Sequence, residues 1–160
     1  MEGRATNFHG VDDAFVRAVG NCTLAGTALE AALLRLAIAA ARLGGDTRTN
    51  QELARTWGPK PGTTLVKQVR ESLAVPAQHR VELGDFLDQV DAALQERHDV
   101  VHNYWVMTAA DDTWWGHRNP TGKNKSLKFV ATTAGGIEDV WREMDDLRKW
   151  ADVWASRLHD

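Results

Sequence analysis

The segment Leu83–Trp105 reads LGDFLDQVDAALQERHDVVHNYW, and its spacing decides the fold class. Apolar or unusual residues fall at Leu83, Leu87, Val90, Leu94, Arg97, Val101 and Tyr104. The steps alternate between four and three, so these residues form one seam along a long helix opening near His79. Arg97 takes a seam position where leucine is expected. An arginine there needs a partner, a cleft or a subunit interface, because an unpaired buried charge is very costly.

Upstream, Asp12 or Asp13 can cap a helix running to about Leu43, with Leu29, Leu33, Leu36 and Ala40 as its apolar stripe. Gly20-Asn21 and Gly26 are candidate bends, and Gly44-Gly45 end the helix. Thr49-Asn50-Gln51-Glu52 has the form of a capping box and opens a short helix to Trp57. Gly58-Pro59-Lys60-Pro61-Gly62 breaks the chain. A third helix over about Thr63–Ala74 stops near Pro76.

Downstream of Trp105 the pattern changes. Val106-Met107-Thr108, Trp114-Trp115 and Leu127–Thr132 read as short strands. Ala110-Asp111-Asp112 and Asn119-Pro120-Thr121-Gly122 read as turns. A last helix from Ile137 to about Leu158 carries the stripe Val140, Met144, Leu147, Ala151, Trp154 and Leu158. The chain therefore reads as mainly α: a helical bundle with a small β-hairpin, or three-stranded meander, inserted before the C-terminal helix. Residues 1–10 read as a flexible tail and 11–160 as one domain.

A chain of 160 residues with 43% hydrophobic and 26% charged residues is long enough to bury a real core. Its net charge of −3 excludes a bulk electrostatic nucleic-acid binder, so any nucleic acid needs a local basic patch. The single cysteine, Cys22, excludes an internal disulfide and fits a reducing cytosol. No apolar signal segment opens the sequence, and Glu30, Arg35 and Arg42 interrupt its most apolar stretch. The expectation is a cytoplasmic protein without a membrane partner.

Arg97-His98-Asp99-Val100-Val101-His102 is the part of the chain richest in chemistry. Arg-x4-His also occurs at Arg4 and His9, in the tail, where nothing around it supports a site. At Arg97 the arginine interrupts an apolar seam late in a long helix. Three readings of these residues stay open. Arg97 and His102 can form a satisfied polar seam in a non-enzymatic bundle. His98 and His102, at i and i+4, can ligate zinc, although no third ligand is evident and Asp99 stands where zincins carry glutamate. Within the same metal reading, His98-Asp99 resembles the His-Asp dyad of helical metal-dependent phosphohydrolases, but Gln95-Glu96-Arg97 precede it in place of an apolar run.

The third reading is a ribonuclease site. Arginine, a polar residue, mostly apolar residues and then histidine, on a late helix of a small bundle, resembles the HEPN superfamily (higher eukaryotes and prokaryotes nucleotide-binding). Asn103-Tyr104 completes the Arg-x4-His-x-Tyr form of members encoded as toxins beside minimal nucleotidyltransferase antitoxins. The resemblance implies metal-independent RNA cleavage by a homodimer in which two motifs line one cleft, with no cofactor. A minimal nucleotidyltransferase is then a candidate antitoxin partner. It also implies catalytic Arg97, His98 and His102, supported by Asp99 and Tyr104.

The chemistry suits those residues. RNA carries its own nucleophile, the 2′-OH. Cleavage needs a base for its proton, an acid for the leaving 5′-oxygen, and positive charge on the phosphorane. A histidine side chain suits the proton transfers, and the fixed guanidinium charge suits the phosphate. Asp99, three residues before His102, can orient its ring. On a straight helix Arg97 and His102 diverge by about 140°, from 100° per residue, which is a reason to expect two copies around one cleft. For RNA binding, Arg118, Lys123, Lys125 and Lys128 lie in an acid-free stretch beside Trp114 and Trp115, which can stack bases. The alternative is a catalytically silent HEPN-like module that binds a nucleotide, RNA or protein partner.

Overall fold

The computed structural model describes residues 13–72, 74–107, 113–118 and 128–159. Asp13–Leu43 forms α1, a single helix with no break at Gly20 or Gly26. Phe15, Ala18, Cys22, Gly26, Leu29, Leu33, Leu36 and Ala40 are buried along it. Their steps of three and four are those of one apolar helix face. α2 is Asn50–Trp57, α3 is Gly62–Arg70, α4 is Ala77–His102 and α5 is Ala134–Arg157. α1 touches each of the other helices and packs most extensively on α5, so it is the axis of the bundle. By length and composition alone α1 could also cross a membrane, and half of its most apolar window is buried in this fold.

Local chemistry explains most of the boundaries. Thr49 and Glu52 exchange the two bonds of a capping box: Glu52 N donates to Thr49 Oγ1 (3.2 Å) and Thr49 N to Glu52 Oε2 (2.6 Å). Gly45 ends α1 with φ of 80°, a conformation cheap only for glycine. α3 stops at Arg70, earlier than the predicted Ala74. Pro76 disfavours helical backbone just before it, and Val75 turns into the core instead, 3% exposed. Thr133 caps α5 by accepting from Gly136 N (3.0 Å).

Between α4 and α5 lie β1 (Tyr104–Met107), β2 (Trp114–Arg118) and β3 (Lys128–Thr132). They form an antiparallel sheet in the order β1-β2-β3, so the insert is the three-stranded meander. The protein is thus mainly α with a small sheet before its C-terminal helix. The predicted tail 1–10, both predicted turns, and Thr108 and Leu127 at the ends of predicted strands lie outside the described residues.

Aromatic packing fixes the sheet to the bundle. Trp114 stacks on Phe15 of α1 with ring centroids 3.9 Å apart, and Trp105 meets the same ring edge-on at 5.5 Å. Each such pair contributes about 0.5–1.5 kcal/mol beyond its buried area. Trp105 is the cross-strand partner of Gly116, where a β-carbon would come within 2.7 Å of the indole. A glycine is needed for that approach.

The α4 seam differs from the predicted one at its end. Leu83, Leu87, Val90 and Leu94 are buried as expected, with Phe86 and Ala93 beside them. Past Arg97, however, Val100 is the buried residue and Val101 is only half-buried. Adjacent residues are 100° apart, so the buried face swings by roughly a quarter turn. The cause is a change of neighbours. The N-terminal part of α4 packs beside α5, where His79 meets Trp154 edge-on at 5.9 Å. At the C-terminal end Trp105 Nε1 donates to Val100 O (2.8 Å) and draws that side of the helix under the sheet.

Candidate functional site

Arg97 sits where the buried face of α4 begins to swing, and α1 receives its side chain. The stem lies across Gly26. A β-carbon there would come within 2.7 Å of Arg97 Nε and 3.1 Å of Cγ and Cδ. One turn along α1, Glu30 faces the guanidinium, with Oε1 4.0 Å from Nη1. The two side chains are 21% and 30% exposed, so the pair is only partly screened by water. Glu30 Oε1 also accepts from Gly62 N (3.2 Å) and thereby links α1 to the start of α3. Arg97 Nε is buried and has no hydrogen-bond partner among the described residues. A buried donor left unmade costs about 1–3 kcal/mol. The seam arginine is therefore paired, but poorly.

A groove of about 310 Å³ opens beside this arrangement, lined by Glu30, Gly62, Thr63, Leu94, Arg97 and His98 among others. One turn before Gly26, the Cys22 thiol is fully buried. Burial pushes it up to about 11, an effect the nearby Arg97 charge reduces.

His102 lies on the other side of α4 from Arg97, and His98 lies between the two, at the edge of the groove. The two histidine rings stack at a tilt, with centroids 4.5 Å apart. His98 is half-buried and His102 exposed. Asp99 accepts a hydrogen bond from Gln95 Nε2 (3.2 Å), one turn back. Within one chain, then, the guanidinium turns inward toward α1 while His102 faces out, as their angular separation requires. Among the described residues, no three His, Cys, Asp or Glu side chains are grouped to hold a metal ion.

The sheet separates the two tryptophans. Trp114 is 4% exposed and its ring is engaged by Phe15, so base stacking there is corrected to a core role. Trp115, the next residue, points to the opposite face, as strand alternation demands. It is 44% exposed beside its cross-strand partner Val106, which is 53% exposed. Arg118 and Lys128 are cross-strand backbone partners. Lys123 and Lys125, and the side chains of Tyr104, Arg118 and Lys128, lie outside the described residues.

Three residues of this arrangement carry no motif in the sequence: Gly26, Glu30 and Gly62. Two signals were available. Glu30 interrupts an apolar run, and a glycine inside a helix costs roughly 1 kcal/mol relative to alanine, which calls for a compensating contact. Neither signal names Arg97 as the partner. In comparison with known proteins, no family model matches the chain, and no curated protein and no solved structure is significantly similar to it.

Proposed function

We propose that this protein is a metal-independent endoribonuclease of HEPN type, a toxin or defence enzyme that cleaves RNA through attack of the 2′-OH. The observation that carries the reading is the pair of histidine rings at the end of α4, beside a guanidinium held on the seam with a donor unpaired among the described residues. His102 takes or gives the proton, and His98 is a second proton carrier or an RNA contact. Arg97 neutralises the phosphorane, with Asp99 and Tyr104 in support. The products are a 2′,3′-cyclic phosphate and a 5′-OH.

Because Arg97 and His102 face opposite sides of α4, the site needs a second copy to bring one motif's arginine near another's histidine. A homodimer is part of the proposal, and a minimal nucleotidyltransferase is its candidate antitoxin. Trp115 is the base-stacking residue, and the basic stretch around Arg118 and Lys128 receives the phosphate backbone.

One observation favours a second reading. Arg97 rests against α1 and Glu30, which suits a catalytically silent module that binds a nucleotide, RNA or protein partner. The two readings separate in one experiment. Total RNA is incubated in EDTA with the wild type and with an Arg97→Ala/His102→Ala variant, and fragment ends are mapped. Cleavage by the wild type alone, with cyclic phosphate ends, is the expected result. No cleavage by folded wild-type protein favours the binding module.

A further inference from the structure

The groups around Arg97 converge on a carboxylate of the protein itself. Glu30 Oε1 faces the guanidinium at 4.0 Å and is held in place by Gly62 N at 3.2 Å. Three features mark this as a holding position for Arg97. The ionic contact to Glu30 is long, at 4.0 Å, whereas a carboxylate that orients an arginine for chemistry grips it through two short parallel bonds. Nε is buried with no hydrogen-bond partner among the described residues, so the guanidinium gains a bond by leaving. The berth itself exists only because residue 26 is glycine. Beside it the groove of about 310 Å³ gives an incoming group access to the guanidinium, past Thr63 and His98.

We propose that Glu30 is an autoinhibitory counter-ion: it keeps Arg97 stowed on α1, and an RNA phosphate must displace its carboxylate to engage the arginine. A phosphodiester has the same charge and oxygen acceptors as a carboxylate, so the two compete for one guanidinium. No covalent step is involved. The balance between stowed and engaged arginine is set by the difference in affinity of the two anions. The inference rests on the reading of Arg97 as a phosphate contact.

The test is binding, kept apart from cleavage. The probe is a fluorescein-labelled 12-nucleotide 2′-O-methyl oligouridylate, which lacks the attacking hydroxyl. Anisotropy titrations compare the full-length wild type with Glu30→Gln, Arg97→Ala and the double variant. Glutamine keeps an acceptor for Gly62 N, and melting curves check the fold. Glu30→Gln is expected to bind roughly 1.5-fold to fivefold more tightly, the range that one partly exposed ionic contact commands. The gain should vanish in the Arg97→Ala background.

Gly26→Ala supplies an independent route, because its methyl group evicts Arg97 without changing charge. It too should tighten binding. Unchanged or weaker binding by the folded Glu30→Gln and Gly26→Ala proteins overturns the proposal. So does an equal gain in the Arg97→Ala background, which would make Glu30 a general negative charge. If Arg97→Ala alone binds as tightly as the wild type, the phosphate role of Arg97 fails as well. Failure confined to the Glu30 and Gly26 variants leaves that role standing.

Discussion

Replacing Arg97 by methionine should make this protein more stable while removing the phosphate contact proposed for that residue. The position lies on the apolar seam of α4, and the arginine pays twice for being there. Its Nε is buried without a hydrogen-bond partner among the described residues, which costs about 1–3 kcal/mol. Its ionic contact to Glu30, at 4.0 Å with both side chains partly exposed, returns only about 0–1 kcal/mol. Methionine keeps an unbranched stem to lie over Gly26 and has no donor to strand. Glu30 is not orphaned by the change, because it keeps its bond from Gly62 N. The net expectation is a gain of about 1 kcal/mol, or about 2–4 °C in Tm for a domain of this size.

Arg97→Ala is the control. It removes the same charge but also the packing of the stem on Gly26, so it should be less stable than Arg97→Met and no more stable than the wild type. Urea titrations followed by tryptophan fluorescence give both values. A loss of 1 kcal/mol or more in Arg97→Met, with an unchanged denaturant slope, would refute the reasoning. The guanidinium would then be a net structural asset and its place on the seam would need no functional explanation.

The two adjacent tryptophans should separate cleanly. Trp114→Ala should cost about 3–5 kcal/mol, since its ring is buried on Phe15, whereas Trp115→Ala should stay within about 1 kcal/mol and weaken binding of single-stranded RNA; equal stability losses measured by urea titration would contradict the assigned sheet faces. Cys22 predicts an alkaline limb. Its folded thiol is raised from 9.0 to about 11 by burial, so the folded state holds a proton that the unfolded chain has lost. That contribution is complete below pH 9 and disappears as pH rises through 11. Cys22→Ala should therefore flatten the stability profile between those values, and an unchanged slope would mean that other groups produce it.

Much of the architecture was legible in the sequence. The capping box at Thr49, the breaker around Pro59 and Pro61, and the alternation from helical to strand spacing after Trp105 are local signals. They act through neighbours a few residues away, so the chain alone expresses them. The seam could be read as far as Leu94, because that stretch packs against one set of partners throughout. The displacement of burial from Val101 to Val100 could not, since it depends on Trp105 folding back to bond a carbonyl of α4.

For the candidate site the division is sharper. Sequence by itself determined that Arg97, His98 and His102 share one helix, and that Arg97 and His102 diverge around its axis. Helical geometry allows nothing else. Only the tertiary structure decided what each side chain meets: Gly26 and Glu30 beneath Arg97, solvent around His102, a core ring beneath Trp114 and a partly exposed sheet face at Trp115. Those contacts join α1, α3, α4 and the sheet across long separations in the chain. They are set by which faces the bundle buries together, and no local pattern encodes that choice.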